Sequence, residues 1–266
     1  MSSVWTTAFL TGGGSGIGLR LAEMLAQRKV RLAIFDLKVS DDVRRRLAAA
    51  APAATFYQID VRDAEGLAAA VRAAVDQVGA PQLAINSAGV QRNRTFAELS
   101  TADFDFVVDI NLRGSRNFAA AVLPHMAPGS NLVLLASLAG LVGNYGYAAY
   151  NASKFGVVGL ASALRIECKP HRIDVTVVCP PEVVTPMVIE ERKTASPVSM
   201  ATKDFAGAVS IDDLCNDILR GAERGEWMIV TGFKAKLTRI LARLFPGLMN
   251  RITDKMVADA LLKQGG

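Results

Sequence analysis

Cysteine and histidine are scarce in this chain of 266 residues. Its three cysteines (Cys168, Cys179 and Cys215) show no C-x-x-C spacing, and its two histidines (His125 and His171) are well separated. A disulfide framework needs paired cysteines and a zinc site needs clustered ligands, so neither a disulfide scaffold nor a metal site is expected. A sparse, odd set of cysteines is typical of reduced thiols in a cytoplasmic protein.

Long uninterrupted apolar segments are also missing. The stretch between Arg116 and Lys154 holds no Asp, Glu, Lys or Arg, but proline, glycine and asparagine interrupt it repeatedly. A membrane-spanning helix needs about 20 nearly continuous apolar residues, so this stretch is expected to be the buried centre of a soluble fold. The N-terminus has no basic region ahead of an apolar run, so no signal peptide is expected. Acidic and basic residues are mixed, with a net charge of +5, and nucleic acid is not an expected partner.

The pattern that is present is that of one α/β domain. Hydrophobic residues make up 51% of the chain and aromatic residues 6%, as in a parallel sheet covered by alanine- and leucine-rich helices. Short β-branched runs alternate with amphipathic segments, which predicts a Rossmann-like, doubly wound parallel sheet flanked by helices on both faces. The seven predicted strands span residues 7–10, 31–35, 55–59, 83–85, 132–135, 175–178 and 228–230. The predicted helices span residues 17–28, 41–50, 64–78, 104–123, 150–167 and 211–223.

Two segments of this single domain (1–266) fall outside the alternation. Residues 180–209 follow a strand and are rich in proline, threonine, serine and charge, so this stretch is predicted to be a substrate lid. Residues 234–266 are predicted to form a C-terminal helical extension with apolar residues at helical spacing and basic residues between them. The pattern favours packing of the apolar face on the domain or on a neighbouring subunit. The alternative is peripheral contact with an anionic membrane.

A glycine-rich turn follows the first predicted strand and runs into the first predicted helix. Glycine allows a tight turn and a close approach of the backbone to a pyrophosphate, and a helix N-terminus offers free N–H groups and a positive dipole end. In this strand-turn-helix context the turn is a predicted dinucleotide cradle. Within the sequence TGGGSGIG at 11–18, the predicted contacts are Gly12, Ser15, Gly16, Ile17 and Gly18.

Asp36 ends the second strand region and indicates which nicotinamide cofactor binds. A carboxylate about twenty residues beyond the glycine turn accepts hydrogen bonds from both adenosine-ribose hydroxyls and repels a 2′-phosphate, so NAD is favoured. Lys38 and the arginines at 44–46 follow closely in the sequence, and NADP is therefore not excluded.

Tyr150 and Lys154 form the centre of a predicted catalytic group. Their spacing of four residues on a predicted helix places both side chains on one face. A neighbouring ammonium stabilises a phenolate, which predicts a lowered pKa for Tyr150 and a role as general acid in ketone reduction or general base in alcohol oxidation. Ser137 closes the fifth strand, where a hydroxyl can bind a substrate carbonyl, and Asn111 lies in the preceding helix, where an amide can hold water.

As a set, these motifs resemble the short-chain dehydrogenase/reductase (SDR) family. The resemblance runs from about residue 5 to residue 230 and includes, in order, the sequences at 11–18, 60–61 (DV), 86–89 (NSAG) and 150–154 (YNASK). It implies that Tyr150 is the acid/base, that Ser137 orients and polarises the carbonyl, and that Lys154 holds the nicotinamide ribose and lowers the tyrosine pKa. It also implies that Asn111 supports a proton-relay water.

The resemblance further implies a set of cofactor contacts. Asp60 and Val61 would contact the adenine, while Thr185, with Val183 beside it, would bind the nicotinamide carboxamide. The remaining implied contacts are Asn86, Ala88 and Gly89 on the ribose side of the cofactor. No metal is implied, and the expected assembly is a homodimer or homotetramer.

Two departures from the family pattern bear on the substrate. Ser87 replaces the second Asn of the common Asn-Asn-Ala-Gly sequence, and Pro181 stands where the family usually has glycine. Residues 180–186 and the sequence around Tyr150 resemble the 3-ketosphinganine reductase branch, whose preference for NADPH conflicts with Asp36. The expected substrate is an alcohol/ketone, specifically a hydrophobic 3-hydroxy/3-keto compound. The alternatives are an NADPH-dependent 3-ketosphinganine-type lipid reductase and a non-catalytic, nucleotide-sensing binding protein on the same fold.

Overall fold

Seven parallel strands form the centre of the molecule, which is known from a computed structural model that describes residues 4–192 and 196–263. The order across the sheet is β3-β2-β1-β4-β5-β6-β9, and β7 pairs with β8 in a separate two-stranded sheet. The predicted doubly wound parallel sheet is confirmed. The strands are β1 (Thr7–Thr11), β2 (Arg31–Asp36), β3 (Ala54–Gln58), β4 (Leu83–Asn86), β5 (Asn131–Leu135), β6 (Asp174–Val178), β7 (Glu182–Val183), β8 (Ala208–Val209) and β9 (Met228–Ile229).

Helices cover both faces of the sheet. Alternate strand residues divide the core, so that Leu10 and Ile34 pack with one layer of helices while Phe9 and Phe35 pack with the other. Both layers are apolar because a parallel sheet is buried on both sides. The helices are α1 (Gly16–Gln27), α2 (Asp41–Ala50), α3 (Ala64–Val78), α4 (Thr101–Val108), α5 (Gly114–Val122), α6 (Ala148–Cys168), α7 (Pro186–Arg192), α8 (Pro197–Asp204), α9 (Ile211–Glu223), α10 (Phe233–Leu244) and α11 (Pro246–Leu262).

The predicted helix at 104–123 differs from the observed structure in two ways. It begins earlier, at Thr101, because the Ser100 hydroxyl accepts a hydrogen bond from the Asp103 N–H and caps the first turn. It is also interrupted by a π-helical turn, Asp109–Arg113, which holds Asn111. A π-helical turn has one more residue between hydrogen-bonded groups than an α-helical turn, and hydrophobic periodicity does not reveal it. Such turns are frequent at functional sites.

The described residues of the two segments outside the predicted alternation form helices and short strands. Residues 180–209 contain β7, α7, α8 and β8, and residues 193–195 of this predicted lid lie outside the described residues. Two helices, α10 and α11, occupy the C-terminal extension, and Pro246 separates them by starting α11 at a position where its missing N–H is tolerated. Residues 264–266 of that predicted extension lie outside the described residues. Within 4–192 and 196–263, every helix is too short or too polar to span a bilayer.

Candidate active site

The main cleft opens at the carboxyl ends of the strands. The chain connectivity reverses between β1 and β4, and this is where a doubly wound sheet leaves a crevice. The cleft has a volume of about 340 Å³. Its walls bring together most of the predicted site residues, namely Gly12, Ser15, Gly16, Ile17, Asp36, Asp60, Val61, Ala88, Gly89, Ser137, Tyr150, Lys154, Val183 and Thr185. Gly18, Asn86 and Asn111 lie behind this wall.

The glycine-rich turn is packed so closely that side chains do not fit. Gly12 has φ of +65°, and a Cβ built there would lie 2.6 Å from the backbone nitrogen of Ala88. A Cβ on Gly18 would overlap the carbonyl oxygen of Gly12. These glycines bring β1, α1 and the loop after β4 into backbone contact, which leaves the α1 N-terminus facing the cleft.

Asp36 lies at the cleft end of β2, where backbone amides hold its carboxylate. Its Oδ2 accepts a hydrogen bond from the Gly14 N–H (2.8 Å) and its Oδ1 accepts one from the Lys38 N–H (3.1 Å). The neighbouring arginines point elsewhere, since Arg44 stacks over the Phe56 ring and Arg46 pairs with acids on α1 and α2. Neither arginine is among the described residues that line the cleft.

Asp60 and Asn86 are held in place in different ways. Hydrogen bonds from the Arg62 guanidinium hold the pKa of the Asp60 carboxyl below its usual range. Asn86 is buried, where it accepts a hydrogen bond from the Thr11 hydroxyl and donates one to Ser115, both at 2.7 Å. Asn86 therefore ties β4 to β1 and α5 from behind the cleft.

Tyr150, Ser137 and Lys154 meet at the centre of the cleft. Tyr150 and Lys154 project from α6 as their spacing predicts, and the Lys154 Nζ lies 5.6 Å from the centroid of the Tyr150 ring. The Ser137 hydroxyl faces the same cleft and is close enough to the Tyr150 phenol to influence its pKa. The buried Lys154 Nζ donates to the Leu135 carbonyl at 2.9 Å, which fixes the ammonium at the end of β5.

The electrostatics around Tyr150 differ from the expectation. Burial raises the pKa of the Tyr150 phenol above its usual value, and the Ser137 hydroxyl and the Lys203 charge only partly oppose this. The predicted lowering by Lys154 is wrong for this structure, because burial is the largest effect on the phenol and the Lys154 ammonium donates its hydrogen bond to the Leu135 carbonyl. Tyr150 is therefore protonated at neutral pH in this state.

Asn111 connects the cleft walls through its side chain. Its Oδ1 accepts from the Val90 N–H at 2.8 Å, and its Nδ2 donates to the Val90 carbonyl at 2.8 Å and to the Ser153 hydroxyl at 2.9 Å. Ser153 in turn donates to the Tyr150 carbonyl at 2.8 Å. Since both N–H groups of the amide donate to protein groups, the side chain of Asn111 positions α6 and the loop after β4.

Sequence reasoning missed a cluster of three charged residues in the segment predicted to be a lid. The Glu182 carboxylate on β7 is almost fully buried and contacts Arg192 of α7 and Lys203 of α8, the latter at 3.1 Å. Burial opposes ionisation of Glu182, but the Arg192 hydrogen bond and the Lys203 charge outweigh it and hold its pKa below the usual value. Lys203 also lies 5.6 Å from the Tyr147 ring, which packs edge-on against Tyr150. The Pro-Pro-Glu departure at 180–182 was the available signal, but nothing local connects it to position 203.

The far side of the cleft is largely apolar and includes the C-terminal extension. Helix α11 packs on α8 and contributes to the wall, so residues distant in sequence cover the space beyond Tyr150. The apolar lining on this side consists of Leu138, Val142, Val188, Phe205, Met249 and Met256.

An acid/base side chain that shares one cleft with a nucleotide cradle is the arrangement of a Rossmann-type oxidoreductase. The sequence agrees with this class, because residues 6–196 match the family model described as short chain dehydrogenase. The chain belongs to the short-chain dehydrogenase family, and it is a dehydrogenase/reductase. The predicted family resemblance is confirmed.

Individual relatives agree with this assignment. The chain is 34% identical to the oxidoreductase UcpA of Salmonella typhimurium, over 72% of this chain and 74% of that protein. It is 36% identical to the 3-dehydrosphinganine reductase TSC10A of Arabidopsis thaliana, over 86% of this chain and 72% of that protein. In fold it is similar to a short-chain dehydrogenase/reductase from Burkholderia phymatum solved in complex with NAD, with a TM-score of 0.80, 24% identity and coverage of 93% and 96% of the two chains.

Proposed function

We propose that this dehydrogenase transfers a hydride between NAD and the carbinol or carbonyl carbon of an alcohol/ketone pair, with Tyr150 as the acid/base. The observation that carries the proposal is that Tyr150, Ser137 and Asp36 open onto one cleft. A proton-transfer group and the recognition site for an adenosine ribose are thereby within reach of one extended dinucleotide. The experiment is an assay at 340 nm of NADH formation or consumption, with hydrophobic 3-hydroxy and 3-keto compounds as substrates.

The residues present fit a dinucleotide. A Cβ at Gly12, Gly14 or Gly18 would fill the turn, so the backbone there is free to lie against a pyrophosphate at the α1 N-terminus. When bound, the nicotinamide supplies or accepts the hydride. Asp36 would hold the adenosine ribose. The other contacts carried over from the family are Ser15, Gly16, Ile17, Asp60, Val61, Asn86, Ala88, Gly89, Val183 and Thr185.

The side chains near the reacting carbon would each bind a different part of the substrate or the cofactor. Ser137 and Tyr150 would both hydrogen-bond the substrate oxygen, and the Tyr150 hydroxyl would give up its proton as a ketone is reduced. Lys154 would hold the nicotinamide ribose and place positive charge near the phenolate that remains. Asn111 keeps the Tyr150-bearing helix in position through Ser153.

The carboxylate of Asp36 predicts discrimination between the two nicotinamide cofactors. We expect NADH to bind at least about tenfold more tightly than NADPH, equivalent to about 1.4 kcal/mol, because a 2′-phosphate would meet a negative charge. Asp36→Ala should remove this preference by weakening NADH and admitting NADPH. Fluorescence titration with both nucleotides measures the two affinities. The control is Asp41→Ala, since Asp41 is not among the described residues that line the cleft. Tighter binding of NADPH by the unaltered protein would contradict the assignment.

For the substrate, we propose a hydrophobic 3-hydroxy/3-keto compound. Support comes from the apolar lining beyond Tyr150, to which α11 adds Met249 and Met256. Each buried CH₂ is worth about 0.8 kcal/mol, so kcat/KM for 3-hydroxyacyl esters should rise about three- to fourfold per added CH₂ until the cleft is filled. A flat dependence on chain length would contradict a hydrophobic substrate.

A second candidate is a 3-ketosphinganine-type reductase. The observation that favours it is the 36% identity to the 3-dehydrosphinganine reductase TSC10A. Parallel assays of 3-ketosphinganine and a 3-keto fatty ester of equal chain length, each with NADH and NADPH, separate the candidates. Preference for the amino ketone selects the second candidate, and equal rates select the broader one.

Lys203 predicts a shift in the pH dependence of alcohol oxidation. Its charge lowers the pKa of Tyr150, so Lys203→Met should raise that pKa and move the rise of kcat to higher pH. The other groups facing the phenol, Lys154 and Ser137, remain in the variant, and Glu182 retains Arg192. We expect about a three- to tenfold lower oxidation rate at neutral pH and recovery at alkaline pH, since one pKa unit corresponds to a tenfold change. Lys203→Arg keeps the charge and should keep the profile. An unshifted Lys203→Met profile would show that the lid lysine does not act on Tyr150.

A further inference from the structure

Helix α10 carries its large apolar side chains on the face that points away from the domain. The buried residues of this helix, Ala235 and Thr238, are only 1% and 2% exposed and lie on the opposite side. With 3.6 residues per turn, the outward-facing side chains fall within an arc of about 60°. This exposed stripe consists of Phe233 (81% exposed), Leu237 (43%), Ile240 (50%) and Leu244 (63%).

The exposed stripe continues beyond α10. Phe245 and Leu248, at the junction with α11, are 56% and 49% exposed. The sequence pattern favoured packing of this face on the domain or a neighbouring subunit, but residues 4–192 and 196–263 leave it uncovered. Contiguous apolar patches of this kind mark interaction sites, whereas single exposed apolar residues do not.

The charges that α10 itself carries beside the stripe are all positive, although Asp217 and Glu226 of the domain line a cleft together with Lys236 and Arg239. The sequence of α10, FKAKLTRILARL, contains two lysines and two arginines and no acidic residue. Lys236, Arg239 and Arg243 lie along one border of the stripe, and Lys234 lies along the other. A helix with an apolar face and cationic borders is suited to the boundary between lipid headgroups and acyl chains.

This charge pattern distinguishes between the possible partners of the stripe. In a two-fold contact centred on the stripe, α10 would approach its own symmetry mate and bring Lys236, Arg239 and Arg243 near the same cations. An anionic lipid surface instead places negative headgroups against these cations while the apolar side chains enter the acyl region.

The position of α10 beside the cleft adds a functional consequence. Helix α11 follows α10 directly after Phe245 and carries Met249, Thr253 and Met256 in the cleft wall. A membrane held by the exposed stripe would therefore lie next to the helix that covers the apolar end of the cleft.

We infer that the exposed stripe of α10, with its cationic borders, docks this protein on anionic membrane surfaces. The observations behind this inference are the exposure of the stripe and its charge pattern, and they hold whatever substrate the cleft binds. Docking is peripheral and reversible, since the helix lies along the surface.

Co-sedimentation with lipid vesicles tests the inference. The unaltered full-length protein should sediment with vesicles of phosphatidylglycerol and phosphatidylcholine in equal parts and stay in the supernatant with phosphatidylcholine alone. Leu237→Glu/Leu244→Glu should lower the bound fraction at least about tenfold, because two side chains that enter the acyl region become charged. Lys236→Gln/Arg243→Gln should weaken binding about thirtyfold at low salt, since each cation near an anionic surface contributes about fivefold.

The control is Phe96→Glu, which introduces a charge at an exposed aromatic residue (80% exposed) far from α10 in the sequence. This variant should bind vesicles like the unaltered protein, and thermal unfolding confirms that each variant is folded. No sedimentation of the unaltered protein with anionic vesicles, or equal sedimentation of Leu237→Glu/Leu244→Glu, would overturn the inference. A second copy would be shown to cover the stripe if the unaltered protein binds no vesicles and light scattering gives Leu237→Glu/Leu244→Glu a smaller mass than the unaltered protein.

Discussion

Replacing Tyr150 by phenylalanine is expected to reduce turnover about a thousandfold while nucleotide binding is retained. The substitution removes only the hydroxyl, which lies near Ser137 and is the only group we assign to proton transfer. Loss of a general acid/base lowers the rate about 10²–10⁴-fold. The phenylalanine ring occupies the same space and can keep the edge-on contact with Tyr147, so the cleft should retain its shape.

The measurement compares kcat with the affinity for NADH in the same preparation. Tyr145→Phe is the matched control, since Tyr145 is close in the sequence but is not among the described residues that line the cleft. It should retain both activity and binding. Turnover by Tyr150→Phe close to that of the unaltered protein would refute the assigned mechanism, and loss of NADH binding would show that the hydroxyl has a structural role instead.

The parts of the site that could be predicted from sequence are those fixed by local spacing. Tyr150 and Lys154 are one helical turn apart, and Ser137 follows a strand, so the rule for carboxyl ends places them together without knowledge of packing. The glycine turn was predictable because it lies between a strand and a helix that follow each other directly in the sequence, although the loop after β4 that packs on Gly12 is distant in sequence. The confirmed doubly wound sheet follows from a regular alternation that repeats along most of the chain.

What could not be predicted depends on contacts between distant segments. The raised pKa of Tyr150 comes mainly from burial, and the charge of Lys203, more than fifty residues away in sequence, acts on the phenol only because the fold brings both to one cleft. The amide of Asn111 was expected to hold water, but its partners, Val90 and Ser153, are set by a π-helical turn that hydrophobic periodicity does not show. The outward direction of the α10 stripe was equally undetermined, since periodicity defines a face but not what it meets.

Gly18→Ala is expected to lower both the affinity for NADH and the stability of the fold. A glycine-to-alanine substitution in a helix usually raises stability instead. Alanine in place of glycine inside a helix normally stabilises a protein by up to about 1 kcal/mol. At Gly18, within α1, the added methyl group would overlap the carbonyl oxygen of Gly12 and lie 3.1 Å from the Ser87 hydroxyl. Overpacking of this kind costs about 1–3 kcal/mol, so the free energy of unfolding should fall.

The same methyl group would act on the cofactor site because the atom it displaces belongs to the cradle. Moving the Gly12 carbonyl away from α1 shifts the backbone that we propose lies against the pyrophosphate, so we expect the Kd for NADH to rise about ten- to a hundredfold. Gly159→Ala is the matched control, since Gly159 is exposed on α6 and its added Cβ would meet no atom within 4 Å. Denaturant unfolding should therefore give changes of opposite sign at Gly18 and Gly159. If Gly18→Ala and Gly159→Ala stabilise the protein equally, the backbone of the turn can move to accommodate a methyl group. If Gly18→Ala leaves the NADH affinity unchanged, this turn is not part of the nucleotide site.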